Sequence, residues 1–227
     1  MTKYLRSLLL LLVTLYITPA LATAPADSAY LDGGSSDSAL ILAHGRGHGP
    51  TWLVVEPLRE GVHDKLGYHT LSLQMPADED KHWKEYAEDF PEAYKTFDKA
   101  VRFLQQEKKV KKIYLMGHSM GSRMAAAYMT EAPNPAINGL IIIGCRNNGG
   151  EPLDCAENVS GLKIPLLDLW GDGSRKDERA GEERAELVSA TYKQVIIDGA
   201  THKFEGYEDD LVDAVVKWLK QVNKKAP

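Results

Sequence analysis

The chain is poor in cysteine and aromatic residues and has no long run of like charge, and these shortages exclude several protein classes. Two cysteines in 227 residues are too few for a small scaffold held together by disulfides. A net charge of -5 lacks the basic excess that binding to a phosphate backbone requires, so we expect no nucleic-acid partner. With 44% hydrophobic and 26% charged residues, the composition predicts one globular domain with a substantial core.

A long hydrophobic run is also missing, and this absence bears on the N-terminus. Basic residues precede an apolar segment over 8–17, which is shorter than the roughly 20 residues that a membrane-spanning helix needs. The small residues Ala20 and Ala22 follow it and are of the type that signal peptidase recognises. We therefore predict a signal peptide over 1–22, a periplasmic or secreted protein, and no stable membrane span after cleavage.

An exported protein matures in an oxidising compartment, where cysteine pairs form disulfides. Cys145 and Cys155 lie within one polar loop and can close on each other, so we expect a disulfide between them. The alternative, two free cysteines, stays open because Cys145 follows an apolar strand and could be buried as a small hydrophobic residue.

The rest of the chain alternates between short apolar runs and segments of helical period. A lead-in over 23–38, rich in small and polar residues, is expected to be loose, and one domain over 39–227 follows. The apolar runs that predict buried strands are 39–43, 69–74, 112–116, 137–143, 164–170 and 192–197. Between and after them, apolar residues recur at steps of three and four, as in 90–104 and 204–222. This pattern predicts an α/β three-layer sandwich with a mostly parallel sheet of about six strands.

Ligands of such sheets bind at the carboxyl ends of the strands, and one motif there carries a nucleophile. The sequence GHSMG at 117–121 directly follows a predicted strand and precedes a helical stretch over 122–130. It matches G-x-S-x-G, the tight turn that needs flanking glycines and holds its serine strained and exposed. The alternative, an ordinary tight turn, is disfavoured by the strand before it and the helix after it. Ser119 is therefore the candidate nucleophile.

A glycine-rich loop, HGRGHG at 44–49, follows the first predicted strand. Its glycines allow the backbone to approach the nucleophile, so that the amides of Arg46 and Met120 could form an oxyanion hole. The first histidine of the loop is expected to hold the backbone through its ring. The loop histidines lack acidic or cysteine partners, so no metal site is predicted. The side chains of Arg46, His48 and His118 are candidate substrate contacts.

The candidate acid and base follow the fifth and sixth predicted strands. Asp172 comes just after the fifth strand and His202 just after the sixth. The resulting chain order of serine, aspartate and histidine is that of the α/β-hydrolase triad. Asp168 and Asp198 are rivals for the acid. The first lies inside an apolar strand and the second can cap the histidine loop, so Asp172 is preferred.

With these residues in place, the chain resembles the α/β-hydrolase superfamily over nearly all of the predicted domain. The segments LILAHGRGHGPTW, YHTLSLQMP and YLMGHSMGS are similar to those of a family of largely uncharacterised exported bacterial α/β-hydrolase-like proteins. The resemblance implies Ser119 as nucleophile, Asp172 as acid, His202 as base, and Arg46 and Met120 as the oxyanion amides. The short lead-in and the short chain between nucleophile and acid imply a reduced fold with an open site and no large lid.

This interpretation predicts a carboxylesterase-like serine hydrolase. It would cleave the ester or thioester of a small molecule through an acyl-enzyme, without a cofactor. Two alternatives stay open: a non-catalytic envelope binding or assembly module on the same fold, and an acyltransferase that uses the same triad.

Overall fold

The computed structural model describes residues 22–225, so the predicted signal peptide lies outside it except for its last residue. Within this range the strands are β1 (Ala29–Leu31), β2 (Ser38–Ala43), β3 (His69–Leu73), β4 (Lys112–His118), β5 (Ile137–Ile143), β6 (Leu166–Gly171) and β7 (Tyr192–Ile197). The α-helices are α1 (Val55–Leu66), α2 (Phe90–Gln106), α3 (Met120–Glu131), α4 (Cys155–Val159), α5 (Arg175–Glu183) and α6 (Glu208–Lys225). None of these helices has the length and apolar composition needed to cross a membrane.

One seven-stranded sheet organises these elements, in the order β1-β3-β2-β4-β5-β6-β7. All neighbouring strands from β3 to β7 are parallel, which confirms the predicted mostly parallel sheet. The lead-in differs from its prediction, because Ala29–Leu31 pairs antiparallel with β3 as an extra edge strand. Tyr30 anchors this strand, since its ring packs edge-on against Phe103 and its hydroxyl hydrogen-bonds to His69.

The sheet is covered on both faces, as the near-continuous apolar strands require. Along β2, Ala39, Ile41 and Ala43 face the side covered by α2 and α3, whereas Leu40 and Leu42 face the side covered by α1 and α6. Because side chains alternate along a strand, every residue of β2 is buried and the strand reads as one apolar run. The result is the three-layer sandwich that the sequence predicts.

The carboxyl ends of β2 and β4 through β7 lie at the same edge of the sheet. Adjacent strands β2 and β4 are followed by helices on opposite faces, α1 and α3. The loops that leave these two strands therefore diverge and open a crevice, which is where ligands bind in folds of this kind. The glycine-rich loop and the serine turn both lie at this crevice.

Candidate active site

The turn at Ser119 has the strained geometry that the motif predicts. β4 ends at His118 and α3 begins at Met120, so one residue makes the change from strand to helix. That residue is Ser119, with φ 56° and ψ -113°, a backbone conformation that residues with a Cβ rarely adopt. A Cβ on either flanking glycine, Gly117 or Gly121, would collide with backbone atoms.

Ser119 and His202 meet at this edge of the sheet. The Oγ of Ser119 lies 2.9 Å from Nε2 of His202, and Nδ1 of His202 lies 2.5 Å from Oδ2 of Asp177. A carboxylate only accepts hydrogen bonds, so Nδ1 carries the proton and donates to Asp177. Nε2 is then unprotonated and accepts a hydrogen bond from the Ser119 hydroxyl. The three side chains form a continuous chain from hydroxyl to carboxylate.

The carboxylate in this hydrogen-bonded series is Asp177, so the candidate acid is corrected from Asp172 to Asp177. Asp172 lies in the turn directly after β6, where its Oδ1 accepts a hydrogen bond of 2.6 Å from the backbone N–H of Gly199. Its carboxylate joins the loops after β6 and β7 and does not contact His202. Of the two rivals, Asp168 is fully buried in β6 as expected, and Asp198 is exposed.

Asp177 was missed because the sequence analysis placed the acid immediately after the strand. The chain first turns through 172–174, and the acid comes in the first turn of α5. A carboxylate there is stabilised by the positive end of the helix dipole. The one signal in the sequence is the spacing from Ser174 to Asp177, which is typical of a helix start.

Arg146 is the second partner of Asp177. Its Nε donates to Oδ1 at 2.7 Å, so the two carboxylate oxygens are each taken by one partner. Burial alone raises the pKa of Asp177, but the hydrogen bonds from His202 and Arg146 outweigh it and hold the pKa below its ordinary value. The acid is therefore ionised at neutral pH.

His118 holds the base rather than facing solvent. It is 1% exposed, and its Nε2–H donates 2.9 Å to the backbone carbonyl of His202. Burial, together with the neighbouring His202, lowers the pKa of His118 to about 3, so its ring is neutral. His118 borders the cavity but is almost fully buried, so little of its side chain is accessible for the predicted substrate contact. The second predicted contact, His48, stacks on Trp52 with ring centroids 3.5 Å apart at the cavity wall.

The glycine-rich loop approaches the serine closely. A Cβ built on Gly45 would lie 3.1 Å from the Cβ of Ser119. His44 fixes the loop: its buried ring bonds to the carbonyl of Gly45 at 2.8 Å through Nδ1 and accepts the N–H of Met75 at 3.0 Å through Nε2. Arg46 and Met120 border the same cavity as Ser119, where the sequence analysis places the oxyanion amides.

Cys145 and Cys155 form a disulfide, with Cα atoms 6.0 Å apart. The bond closes the loop that carries Arg146 and brings it back to α4. Arg123 of α3 fills this loop, because Nη1 donates to the carbonyls of Asn148 and Leu153 at 2.8 and 3.0 Å. The disulfide therefore joins the two ends of the loop that carries Arg146, and the hydrogen bonds of Arg123 hold the loop from within.

These loops enclose a cavity of about 620 Å³ with Ser119 and His202 at its wall. Trp52 and Trp83 border it, and Trp83 belongs to the loop between β3 and α2. Within residues 22–225, no group of three or more His, Cys, Asp and Glu side chains is arranged to hold a metal ion.

Solved structures with this architecture identify the fold. Dienelactone hydrolase from Anabaena variabilis superposes with a TM-score of 0.68 at 18% identity, over 86% of this chain and 90% of that one. Est1E from Butyrivibrio proteoclasticus, solved with ferulic acid bound, superposes with a TM-score of 0.70 at 15% identity, over 87% of this chain and 95% of that one. An alpha-beta serine hydrolase homologue from Coxiella burnetii superposes with a TM-score of 0.63 at 19% identity, over 80% of this chain and 85% of that one. The chain therefore has the α/β-hydrolase fold.

Comparison of the sequence with families and with curated proteins gives two further results. A family model described as "Protein of unknown function (DUF3530)" matches residues 77–221. The matched range includes Ser119, Asp177 and His202. No curated protein matches the chain significantly.

Proposed function

This chain belongs to the DUF3530 family of proteins of unknown function, and we propose that it is a serine hydrolase that cleaves an ester or thioester through an acyl-enzyme. The observation that carries the proposal is the hydrogen-bonded chain from Ser119 through His202 to Asp177, built on a strained serine turn. A nucleophile, a base in contact with it and a carboxylate that orients the base are the parts that acyl transfer needs.

In the proposed mechanism, Ser119 Oγ attacks the carbonyl carbon of the substrate while Nε2 of His202 takes the hydroxyl proton. Asp177 accepts the hydrogen bond from Nδ1–H throughout, which fixes the tautomer and stabilises the imidazolium that forms. The imidazolium then gives its proton to the leaving alcohol or thiol, and an acyl group remains on Ser119. A water molecule, deprotonated in turn by His202, attacks this acyl group and releases the carboxylic acid.

The proposed oxyanion hole consists of the backbone amides of Met120 and Arg46. Met120 is the first residue of α3, so its N–H lies at the positive end of the helix dipole beside Ser119. The close approach of Gly45 to Ser119 supports a role for the next amide, that of Arg46. Each amide contributes about 3 kcal/mol to lowering the barrier in comparable enzymes.

We also propose that the protein acts in the periplasm or outside the cell. The predicted signal peptide and the Cys145–Cys155 disulfide support this location, since disulfides persist in oxidising compartments.

Labelling with a fluorophosphonate probe tests the proposed function. We expect the probe to modify the native protein on Ser119, and neither Ser119→Ala nor heat-denatured protein to be labelled. Ser160→Ala is the matched control, because Ser160 is an exposed serine at the end of α4 and should not affect labelling. Ester hydrolysis should fall ~10⁴-fold or more in Ser119→Ala.

Absence of labelling in the native protein under any condition would overturn the proposal and favour a non-catalytic module. If the protein is labelled but passes the acyl group to an added alcohol faster than to water, product analysis will identify an acyltransferase.

A further inference from the structure

The cavity at Ser119 is strongly cationic, although the chain as a whole carries a net charge of -5. Among residues 22–225, six basic side chains border it: Arg46, Arg123, Arg146, Lys176, Arg179 and Lys203. Glu183 is the one acidic side chain that borders it in the same range. A concave surface of one charge sign attracts ligands of the opposite sign and concentrates them.

Arg123 is the most informative of these cations, because it is 5% exposed and has no carboxylate partner among the described residues. Its guanidinium has five N–H donors, of which three bond to the neutral oxygens of Asn148 and Leu153. Burial, reinforced by the nearby Arg146, lowers the pKa of Arg123 to about 10, so the group stays charged at neutral pH. A buried cation bordering a cavity without a counter-ion favours an anionic occupant.

Three exposed cations at the cavity mouth, Arg46, Lys176 and Lys203, also form no ion pair in the part of the chain that the structure describes, whereas Arg179 pairs with Glu183 at 2.9 Å. Arg46 donates to the carbonyl of Lys81 at 3.0 Å, whereas Lys176 and Lys203 have no salt bridge. Helix α5 presents its side chains at steps of three and four, so Lys176 and Arg179 face the cavity while Asp177 points to His202. The helix that supplies the acid therefore also supplies part of the cationic wall.

We propose that the natural substrate of this site is an anionic ester, with a carboxylate or phosphate group held by the cationic wall while Ser119 attacks its carbonyl carbon. This inference rests on the proposed hydrolase function and adds the substrate class. The aromatic side chains of Trp52 and Trp83 line the same cavity and would cover the uncharged part of the molecule.

A matched pair of esters tests the charge preference. The 4-nitrophenyl hemiester of adipic acid and 4-nitrophenyl hexanoate differ only in a terminal carboxylate in place of a methyl group. We expect kcat/KM for the adipate hemiester to be at least about tenfold higher at low ionic strength, and the advantage to shrink as salt screens the cations. The 4-nitrophenyl ester of 5-phosphonopentanoic acid, in which a phosphonate replaces the terminal carboxylate of the adipate hemiester, shows whether a phosphonate is preferred to a carboxylate.

Variants of the wall connect this preference to the proposed residues. In Lys176→Gln/Lys203→Gln, the ratio of the two kcat/KM values should fall about fivefold, since both side chains are exposed and each contributes modestly. Lys95→Gln/Lys99→Gln is the matched control, because it removes the same two charges from exposed positions on α2 that do not border the cavity. The control should leave the ratio unchanged.

The outcomes separate this inference from the function on which it rests. A protein that fails to label with the fluorophosphonate probe overturns both. A protein that hydrolyses the hexanoate ester as well as the adipate hemiester, with no change of ratio in the double variant, overturns the substrate class alone. If the probe labels Ser119 but neither ester turns over, free adipate must slow the labelling at low ionic strength, and absence of protection overturns the substrate class.

Discussion

Two buried carboxylates lie close together in the chain, each paired with an arginine, yet they have different surroundings. Asp168 in β6 accepts two hydrogen bonds from Arg184, at 2.8 and 3.0 Å, and others from Tyr192 and Gln194. Asp177 in α5 accepts one from Arg146 and one from His202. Both side chains are at most 1% exposed.

The difference lies in the partners rather than in burial or charge. None of the direct partners of Asp168 borders the cavity, so they hold the sheet and the adjoining loop together, although Arg184 also donates to Oδ1 of Asn147 at the cavity wall at 2.6 Å. Arg184 extends this network to the carbonyl of Cys145 at 2.9 Å, at the start of the disulfide loop. Asp177 instead contacts a titratable ring whose other nitrogen reaches a hydroxyl at the cavity. In this protein, the buried ion pair that belongs to the candidate site is the one whose carboxylate contacts the ring beside Ser119 directly.

The comparison of the two carboxylates depends on Asp177 being the acid. Its substitution should therefore have the largest effect of those predicted here. Asp177→Asn keeps the shape of the side chain but removes the charge and offers an amide to His202, which favours the wrong imidazole tautomer. We expect kcat on 4-nitrophenyl hexanoate to fall ~10⁴-fold, as in other serine hydrolases that lose this charge. The measurement is steady-state kinetics on protein of verified native circular dichroism.

Asp172→Asn is the control for this prediction, since its remaining oxygen can still accept the N–H of Gly199. Its activity should stay within about threefold of the native protein. A large loss in Asp172→Asn with little loss in Asp177→Asn would restore the acid that the sequence analysis preferred.

Asp168→Asn should lower the stability of the protein, whereas Asp177→Asn should lower its catalytic activity. The substitution leaves the guanidinium of Arg184, which is 1% exposed, without its negative partner. Breaking a buried pair in this way costs about 3–5 kcal/mol in free energy of unfolding, measured by urea denaturation. Asp168→Asn/Arg184→Gln should recover part of this loss, because no unpaired charge is left. A loss below about 1 kcal/mol in the free energy of unfolding would mean that the network around Asp168 is not structural.

The disulfide connects the two regions, because its loop begins beside Arg184 and carries Arg146. Cys145→Ser/Cys155→Ser should lower the free energy of unfolding by about 2–4 kcal/mol through the added freedom of the unfolded chain. Reductant should lower the stability of the native protein by a similar amount and leave the double variant unchanged. An effect of reductant on the double variant would assign the change to something other than this bond.

The sequence analysis found strands β2 to β7, the serine turn and the histidine that contacts it, because each has a local signal. β5 and β7 match the predicted ranges residue for residue. β5 is buried at nearly every position and is recognised by its apolar residues, whereas β7 is a partly exposed edge strand that ends in the apolar residues 195–197. Ser119 lies in a motif whose glycines are needed for the turn. His202 follows its strand closely, so its position along the chain was enough to place it at the sheet edge.

The acid and the first strand depend on distant parts of the chain and left no such signal. Asp172 and Asp177 both follow β6, and which one reaches His202 depends on how the turn over 172–174 leads into α5. β1 has three residues and is ordered by pairing with β3, so it has no periodic pattern of its own. Side-chain direction and edge pairing are tertiary properties, which spacing along the sequence does not specify.

The smallest expected effect concerns Arg146, and its pH dependence sharpens the comparison of the two carboxylates. Because the pKa of Asp177 is lowered on folding, the ionised carboxylate adds stability above the unfolded value of about 3.9, and this contribution is lost as the pH falls through the folded pKa. Arg146→Gln removes one of the two hydrogen-bond donors that lower this pKa. The variant should therefore be about 1 kcal/mol less stable at pH 7.

By the same argument, the difference in free energy of unfolding between the native protein and Arg146→Gln should narrow as Asp177 becomes protonated below about pH 3.9. Urea denaturation across pH 3 to 7 measures it. Arg179→Gln is the matched control, because its pair with Glu183 is exposed at 80% and 42% and should contribute under about 0.5 kcal/mol at any pH. A constant difference across the range would show that Arg146 stabilises the loop by packing. Arg146 would then resemble Arg184 as a structural residue, and His202 would be the one partner that keeps Asp177 ionised.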